Sequence, residues 1–512
     1  MAAGGLDCEV VVVGAGPTGL ALAIGLHQHG LAVRLLEKQD RGKREARAGV
    51  IWQRALEVLA DLGCADRFAA HGLPVQCAEL VAAGHPVAVL DLTMPGTRHP
   101  HALSIEQDDT ERLLAERLAE VGGAISWSTE AVAVRLGTDH AEVDVRTADG
   151  DRQTLRCGWV VGCEGSRSLV REAAGLTFDG APRPRLRVKQ INAEVEWSRR
   201  YDPGRSYFFL DRGLSAGCAP RPGGGYRLFG FTDEPDDAPM TPVTTAEMRD
   251  FLAHAAREPE LRLLPTDPPW ANRARFQDRF AGSLRAGRAL LAGDSAHLWA
   301  PVGGHGLNTG LRGAHNLAWK LAAVARGRAR AELLDTYADE QLRTARRVLR
   351  RTRFDVLELP ATRWSLLGLR LAGGPLLRTR LVSGAIRTGL SDLDLHHRES
   401  ALSAAGGGDR LPDLAVWTAT GRRRLHDLLD YGHWTLLQVT GATAPDPRLT
   451  AALAAHPVPL TVHRLPPSPS TRRLLPPGAL LLVRPDRHLA LRTHRTEEVT
   501  GYLQRWYPRT DR

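Results

Sequence analysis

Residues 9–38 read EVVVVGAGPTGLALAIGLHQHGLAVRLLEK. A run of valines leads into Gly14, Gly16 and Gly19 and then into a long apolar stretch, an order that predicts strand, tight turn and helix. After Gly30 a second apolar run ends at Glu37, 23 residues beyond Gly14. That is the separation at which an acidic side chain meets a ribose hydroxyl in a dinucleotide-binding βαβ unit. Each glycine answers its own requirement: Gly14 the turn, Gly16 the approach of a pyrophosphate to bare backbone, Gly19 the close packing of helix on strand. Pro17 and Thr18 belong to the same candidate site, because the helix N-terminus faces the phosphates, and Lys38 joins them beside Glu37. On this fingerprint alone the dinucleotide is either FAD or NAD(P).

The rest of the chain sets the context. Its 512 residues exceed one compact core and imply about three units. With 43 % hydrophobic and 24 % charged residues the composition is that of a soluble globular protein, and 5 % aromatics argue against a stacking platform for single-stranded nucleic acid. Net charge is 67 minus 58, or +9. The densest basic run, RTARRVLRRTRF at 343–354, reads as a solvated helix face, so no nucleic-acid partner is inferred. Cys8, Cys64, Cys77, Cys157, Cys163 and Cys218 form no C-x-x-C pair and no metal-ligand spacing, which fits a reducing cytoplasm and no bound metal. The N-terminal apolar run is too short for a signal peptide or a span, so no membrane partner is expected.

A second glycine-rich stretch, GDSAHLWAPVGGHGLNTG at 293–310, contains Asp294, Ser295 and His297. These do not make a hydrolase triad, since serine and histidine are two residues apart and no Gly-x-Ser-x-Gly elbow occurs. The glycines point instead to a ligand held by main-chain atoms.

Together with ARAGVIWQRALEVLADLG (46–63), LSIEQDDTERLLAERLAEVG (103–122) and CGWVVGCEGSRSLVREAAG (157–175), these two stretches resemble the FAD-dependent aromatic hydroxylases, the class A flavoprotein monooxygenases. The likeness is closest to the subgroup acting on aromatic polyketides and spans essentially the whole chain. It implies that Arg47 reaches the FAD pyrophosphate and Gln107 contacts the flavin nucleotide. It also implies that Gly293 and Asp294 hold the ribityl chain, and that the loop from Pro301 through Gly304, Gly306, Leu307 and Asn308 lies against the isoalloxazine. Glu164 stands where the family has aspartate beside the FAD phosphates, followed by Arg167 and Arg171. His305 and Gly313 depart from the family's glutamine and aspartate.

The implied reaction is NAD(P)H-dependent insertion of one oxygen atom from O2 into a phenolic, polyketide-like substrate through a flavin C4a-hydroperoxide, with FAD tightly bound and NADPH the favoured transient donor. Baeyer–Villiger insertion or epoxidation on the same flavin site stays open, as does a non-oxygenating flavin reductase or FAD-binding scaffold. No side chain is assigned as catalytic. Pro301 and His305 are candidates beside the ring, the histidine because its ordinary pKa suits proton transfer near neutrality. Tyr207, Arg212 and Tyr226 are further candidates for activating a phenol.

The expected fold is α/β: a Rossmann-like FAD domain, discontinuous over 1–75, 103–180 and 271–395, with an inserted, mainly antiparallel substrate sheet over 76–102 and 181–270. The leucine- and arginine-rich residues 331–395 are expected as helices behind the FAD domain. After the linker SALSAAGGGDRLPD (400–413), residues 396–512 are expected to form a thioredoxin-like α/β domain that lacks cysteines. Expected partners are a small aromatic or polycyclic substrate and O2, in a cytoplasmic monomer or homodimer.

Overall fold

The computed structural model describes residues 5–40, 49–199, 201–300, 302–352, 362–441, 447–454 and 456–508. The valines of Cys8–Val13 are buried on both faces, as they must be in the middle of a parallel sheet. That strand pairs in parallel with Val33–Leu36 on one side and Arg152–Gly162 on the other, and Ala289–Leu291 extends the sheet in parallel beyond Arg152–Gly162. Helix Pro17–Gln28 begins with proline at its first turn, where the missing N–H costs nothing, and residues 19–26 are buried.

This helix packs against His305–Ala325, a helix buried along most of its length. Thr18 is the point of closest approach: its side chain fills the space where a Cβ on Gly293 or Gly310 would stand. The two helices therefore converge with their N-termini side by side.

The second sheet has nine strands. Eight follow the order His297–Leu298, Ala271–Ala281, Phe178–Glu196, Tyr226–Asp233, Leu214–Pro220, Ser206–Asp211, Cys77–Ala82 and His85–Asp91, and Arg262–Pro265 pairs with the end of Phe178–Glu196. Its limits differ from the expected 181–270, because Ala271–Ala281 is bonded to Phe178–Glu196 over most of its length. Helix Thr245–Ala256 seals one face, setting Met248, Leu252 and Ala255 against Ile191, Tyr207, Phe209 and Leu228.

The helices at Arg363–Gly368, Gly374–Arg378 and Arg380–Ser391 do not lie behind the FAD domain as expected. They pack on the far edge of the second sheet, with Leu366 and Leu377 against Val87, Ala88 and Leu210. A leucine-rich helical pattern announces an apolar face, not the surface that receives it.

The C-terminal unit is a βαβ followed by ββα, with strand order Leu460–Leu465, Trp434–Val439, Leu480–Val483, Leu489–Thr493; only the first pair is parallel. This is the thioredoxin topology. It is bonded to the first domain by buried ions: Glu340 accepts from Lys320 and from Arg484 at 2.8 Å each, and Arg54 donates to the carbonyl of Asp486 at 2.9 Å.

Candidate active site

A single cavity of about 2220 Å³ runs from the first glycine turn to the underside of the second sheet. Ordinary ligand pockets hold about 300–1,000 Å³, so there is room for two sizeable molecules. At one end, helices Pro17–Gln28 and His305–Ala325 open into it with Gly16 and Gly304 at their N-caps, and neither end is capped by a side chain. Two sets of orphan N–H groups and two positive helix ends thus face one space, a setting suited to an anion.

The glycines divide by function. Gly14 has φ +98°, and a Cβ there would lie 2.7 Å from the carbonyl oxygen of Cys163. A Cβ on Gly16 or Gly306 would meet no atom within 4 Å, so bare backbone at these two positions faces open cavity. Such a cradle fits the pyrophosphate and ring edge of a flavin dinucleotide.

Around the first turn, Glu37 accepts from the N–H of Ala15 at 2.9 Å and of Gln39 at 3.0 Å, which fixes its carboxylate at the cavity wall beside exposed Lys38. Gln107 begins helix Gln107–Glu120, lines the cavity and donates to Glu111 at 2.8 Å. Asp294 is exposed to the same space.

Glu164 also lines the cavity, but its carboxylate turns inward. Oε1 accepts from Ser168 Oγ and from the N–H of Val170, both at 2.9 Å, and Oε2 from Ser295 Oγ at 3.3 Å. Burial pushes its carboxyl up despite these donors. Arg167 reaches the cavity. Arg171 does not, donating instead to the carbonyls of Ser295 and Ser166. Arg47 and Pro301 lie outside the described residues.

The loop before His305–Ala325 is clamped from below. Asn308 accepts from the N–H of Trp52 at 2.8 Å and donates to the carbonyls of Val50 at 3.0 Å and Gly304 at 2.7 Å. Its side chain is consumed by the scaffold and does not line the cavity, whereas Gly304, Gly306 and Leu307 do. The Trp52 indole N–H donates to the carbonyl of Gly303 at 2.7 Å.

His305 is not at the cavity wall. Its Nδ1 lies 3.3 Å from Asp392, whose carboxylate also faces Arg312 at 3.4 Å. The imidazole is an internal strut, lying against Gly303 of the loop it follows and not against the cavity. The histidine that does line the cavity is His297, stacked on Trp299 and lowered by burial to about 4.

Beneath the second sheet the wall becomes apolar and aromatic. Phe208, Phe229, Phe231 and Phe276 face the cavity from three strands, Phe229 and Phe231 sharing one, and Ile386 and Leu390 face it from the helix opposite. Strand alternation decides this: Ser206 and Phe208 face in, while Tyr207 and Phe209 face the Thr245–Ala256 helix. Tyr207 and Tyr226 are therefore packing residues of the sealed face, and Arg212 is an exposed turn residue.

Polar groups are few. Gln190 accepts from Asn272 at 3.3 Å. Glu106 bridges the two halves of the site, accepting from Arg221 at 2.6 Å and Arg227 at 2.5 Å, and Arg227 stacks on Trp270. Sequence reading missed Trp52, Glu106 and Arg227. The one signal available was Glu106 preceding Gln107 in the same turn.

A family model described as FAD binding domain matches residues 7–352, and one described as aromatic-ring hydroxylase, C-terminal, matches 405–509. The chain is 31 % identical to the 6-methylpretetramide 4-monooxygenase of Streptomyces rimosus, over 97 % of this chain and 93 % of that one. It is 33 % identical to the rifampicin monooxygenase of Streptomyces venezuelae, over 85 % and 87 % of the two chains. The solved anhydrotetracycline hydroxylase of Streptomyces rimosus superposes with a TM-score of 0.79 at 29 % identity, covering 98 % of this chain and 99 % of that one.

Proposed function

The chain belongs to the FAD-binding aromatic-ring hydroxylases, and from that premise we propose that it hydroxylates a polycyclic phenolic substrate of the polyketide class, with NADPH as electron donor. It is an FAD-dependent monooxygenase by family. The reading of its substrate is carried by one observation: the cavity entered by two uncapped helix N-termini continues without a partition under a sheet face lined by four phenylalanines.

Bound FAD supplies the reductive activation of O2. The chain's own residues position the reactants. The N–H groups around Gly16 would hold the pyrophosphate, Glu37, Lys38 and Gln107 the nucleotide, and Asp294 the ribityl hydroxyls. The N–H groups of Gly306 and Leu307 would meet the pyrimidine edge, where negative charge gathers on reduction and a helix N-terminus stabilises it. Phe208, Phe229, Phe231 and Phe276 would hold a flat ring system by stacking and exclude water from it. Gln190 and Asn272 would orient its oxygens.

The test is a screen of phenolic polycycles against the FAD-loaded protein. The expected result is substrate-stimulated NADPH oxidation and a product heavier by one oxygen atom. Folded protein that cannot be loaded with FAD, or anaerobic product formation, would overturn the reading.

A further inference from the structure

The segment from Thr362 to Ser391 is apolar on both of its sides. Leu366, Leu369, Gly373 and Leu377, spaced three or four apart, face the sheet edge at Val87 and Ala88. The opposite side carries Trp364, Leu367 and Leu371 at helical spacing into solvent, followed by Leu376 and Leu381. Trp364 is 70 % exposed, Leu371 73 % and Leu381 83 %. Of the ten exposed large hydrophobic residues among those described, five fall between 364 and 381. A helix on a protein surface ordinarily turns polar residues outward, and a concentrated apolar patch marks a contact.

The charge of the segment says which contact. Arg363, Arg370, Arg378, Arg380 and Arg387 lie in it, and no aspartate or glutamate occurs from 362 to 391. Arg370, Arg378 and Arg380 form no ion pair with another described residue. Arg363 sits over the ring of Trp364 at 5.2 Å. Apolar side chains that protrude among unpaired arginines are the composition of a surface that enters the headgroup layer of an acidic bilayer.

A second copy fits less well, since a two-fold contact would set arginine against arginine in a chain of net charge +9. We propose that the outer face of residues 363–381 docks on an anionic lipid surface. The attachment is peripheral, as none of the described helices is long and apolar enough to cross a membrane. It revises the expectation that no membrane partner exists. Leu377, Ile386 and Leu390 of the same segment line the cavity, so docking sets one cavity wall beside the bilayer. The proposal does not depend on the reaction assigned above.

The test is co-sedimentation of the full-length FAD-loaded protein with phosphatidylcholine vesicles, with and without phosphatidylglycerol. The expected result is roughly tenfold more protein pelleted with the acidic vesicles, lost in about 0.5 M salt. The same loss is expected in Leu371→Glu/Leu381→Glu and in Arg370→Gln/Arg378→Gln/Arg380→Gln. Flavin absorbance and vesicle-free NADPH oxidation, which these residues do not touch, report that the variants are folded. The lipid and salt dependence of the parent protein tests the proposal even where a variant fails to fold. Equal binding to neutral vesicles, no binding to acidic ones, or binding retained by folded variants would overturn it. So would sedimentation velocity showing that Leu371→Glu/Leu381→Glu splits a dimer, since the patch would then be a self-interface.

Discussion

The indole N–H of Trp52 donates to the main-chain carbonyl of Gly303 at 2.7 Å, tying the second strand-to-helix connection of the FAD domain to the loop that precedes helix His305–Ala325. Trp52→Phe keeps an aromatic side chain, a smaller one, and removes the donor, leaving a carbonyl unpaired beside the cavity. The expected cost is about 1 kcal/mol, or FAD binding weakened roughly fivefold, read by flavin fluorescence titration. Unchanged affinity would show that the loop is held by Asn308 alone.

Gly14→Ala places a Cβ 2.7 Å from the Cys163 carbonyl oxygen in a residue with φ +98°. The conformation alone costs on the order of 1–3 kcal/mol, before the clash is relieved by opening the turn. The expected protein has a lower thermal midpoint and little flavin absorbance per chain. Full flavin content would contradict the assignment of the turn.

Gly217 lies across the strand pair from Phe229, and a Cβ there would run into the Phe229 ring. Gly217→Ala is expected to push that ring into the cavity. KM for a polycyclic substrate should rise roughly tenfold while KM for NADPH and flavin content stay as they were. Steady-state kinetics with both ligands varied separates these outcomes.

His305 faces Asp392 and Arg312, not the cavity. His305→Gln should therefore leave both limbs of the pH profile of substrate turnover in place and lower stability by about 1 kcal/mol. A displaced limb would make the imidazole part of the proton path.

His297, His426 and His488 are buried and His29 is half-buried, and desolvation pulls each of them down to about 4. They stay neutral in the folded chain, while the unfolded chain takes up protons as the pH falls below 6.5. The unfolded state then binds more protons, so stability drops from pH 6.5 toward 4, by about 3 kcal/mol for each histidine over the whole window. Glu57, Glu340 and Asp486 follow at lower pH. Burial alone would raise these carboxyls, but Arg410 holds Glu57 well below the usual range, and Arg484 does the same for Glu340 and Asp486. Their contribution is present above about pH 4.5 and is lost on acidification below it. Denaturant midpoints measured from pH 8 to 4 should show the decline beginning with the histidines.

The dinucleotide turn was legible because its requirements are local: a positive φ at Gly14, a close approach at Gly19 and an acid at a fixed separation within one βαβ unit. The antiparallel texture of the second sheet was legible for the same reason. Alternation alone, however, does not say which face is sealed, so Tyr207 and Tyr226 were candidates and Phe208 and Phe229 were not. The clamp of Trp52 on Asn308 joins residues 256 apart, and Arg227 on Glu106 joins residues 121 apart. Such pairs leave no local signal. The strand Ala271–Ala281 was assigned to the wrong domain because its pairing partner begins 93 residues earlier, at Phe178.

The sealed face of the second sheet has a consequence for how this protein can change. On the strands that helix Thr245–Ala256 covers, one set of alternating positions belongs to the core beneath it, and the other set, among them Val188, Gln190, Phe208 and Phe229, meets whatever is bound. Selectivity and thermal robustness are thus written on opposite sides of one backbone. Variation confined to the inward set can move the enzyme from one ring system to another while the strand pairing that carries it goes untouched.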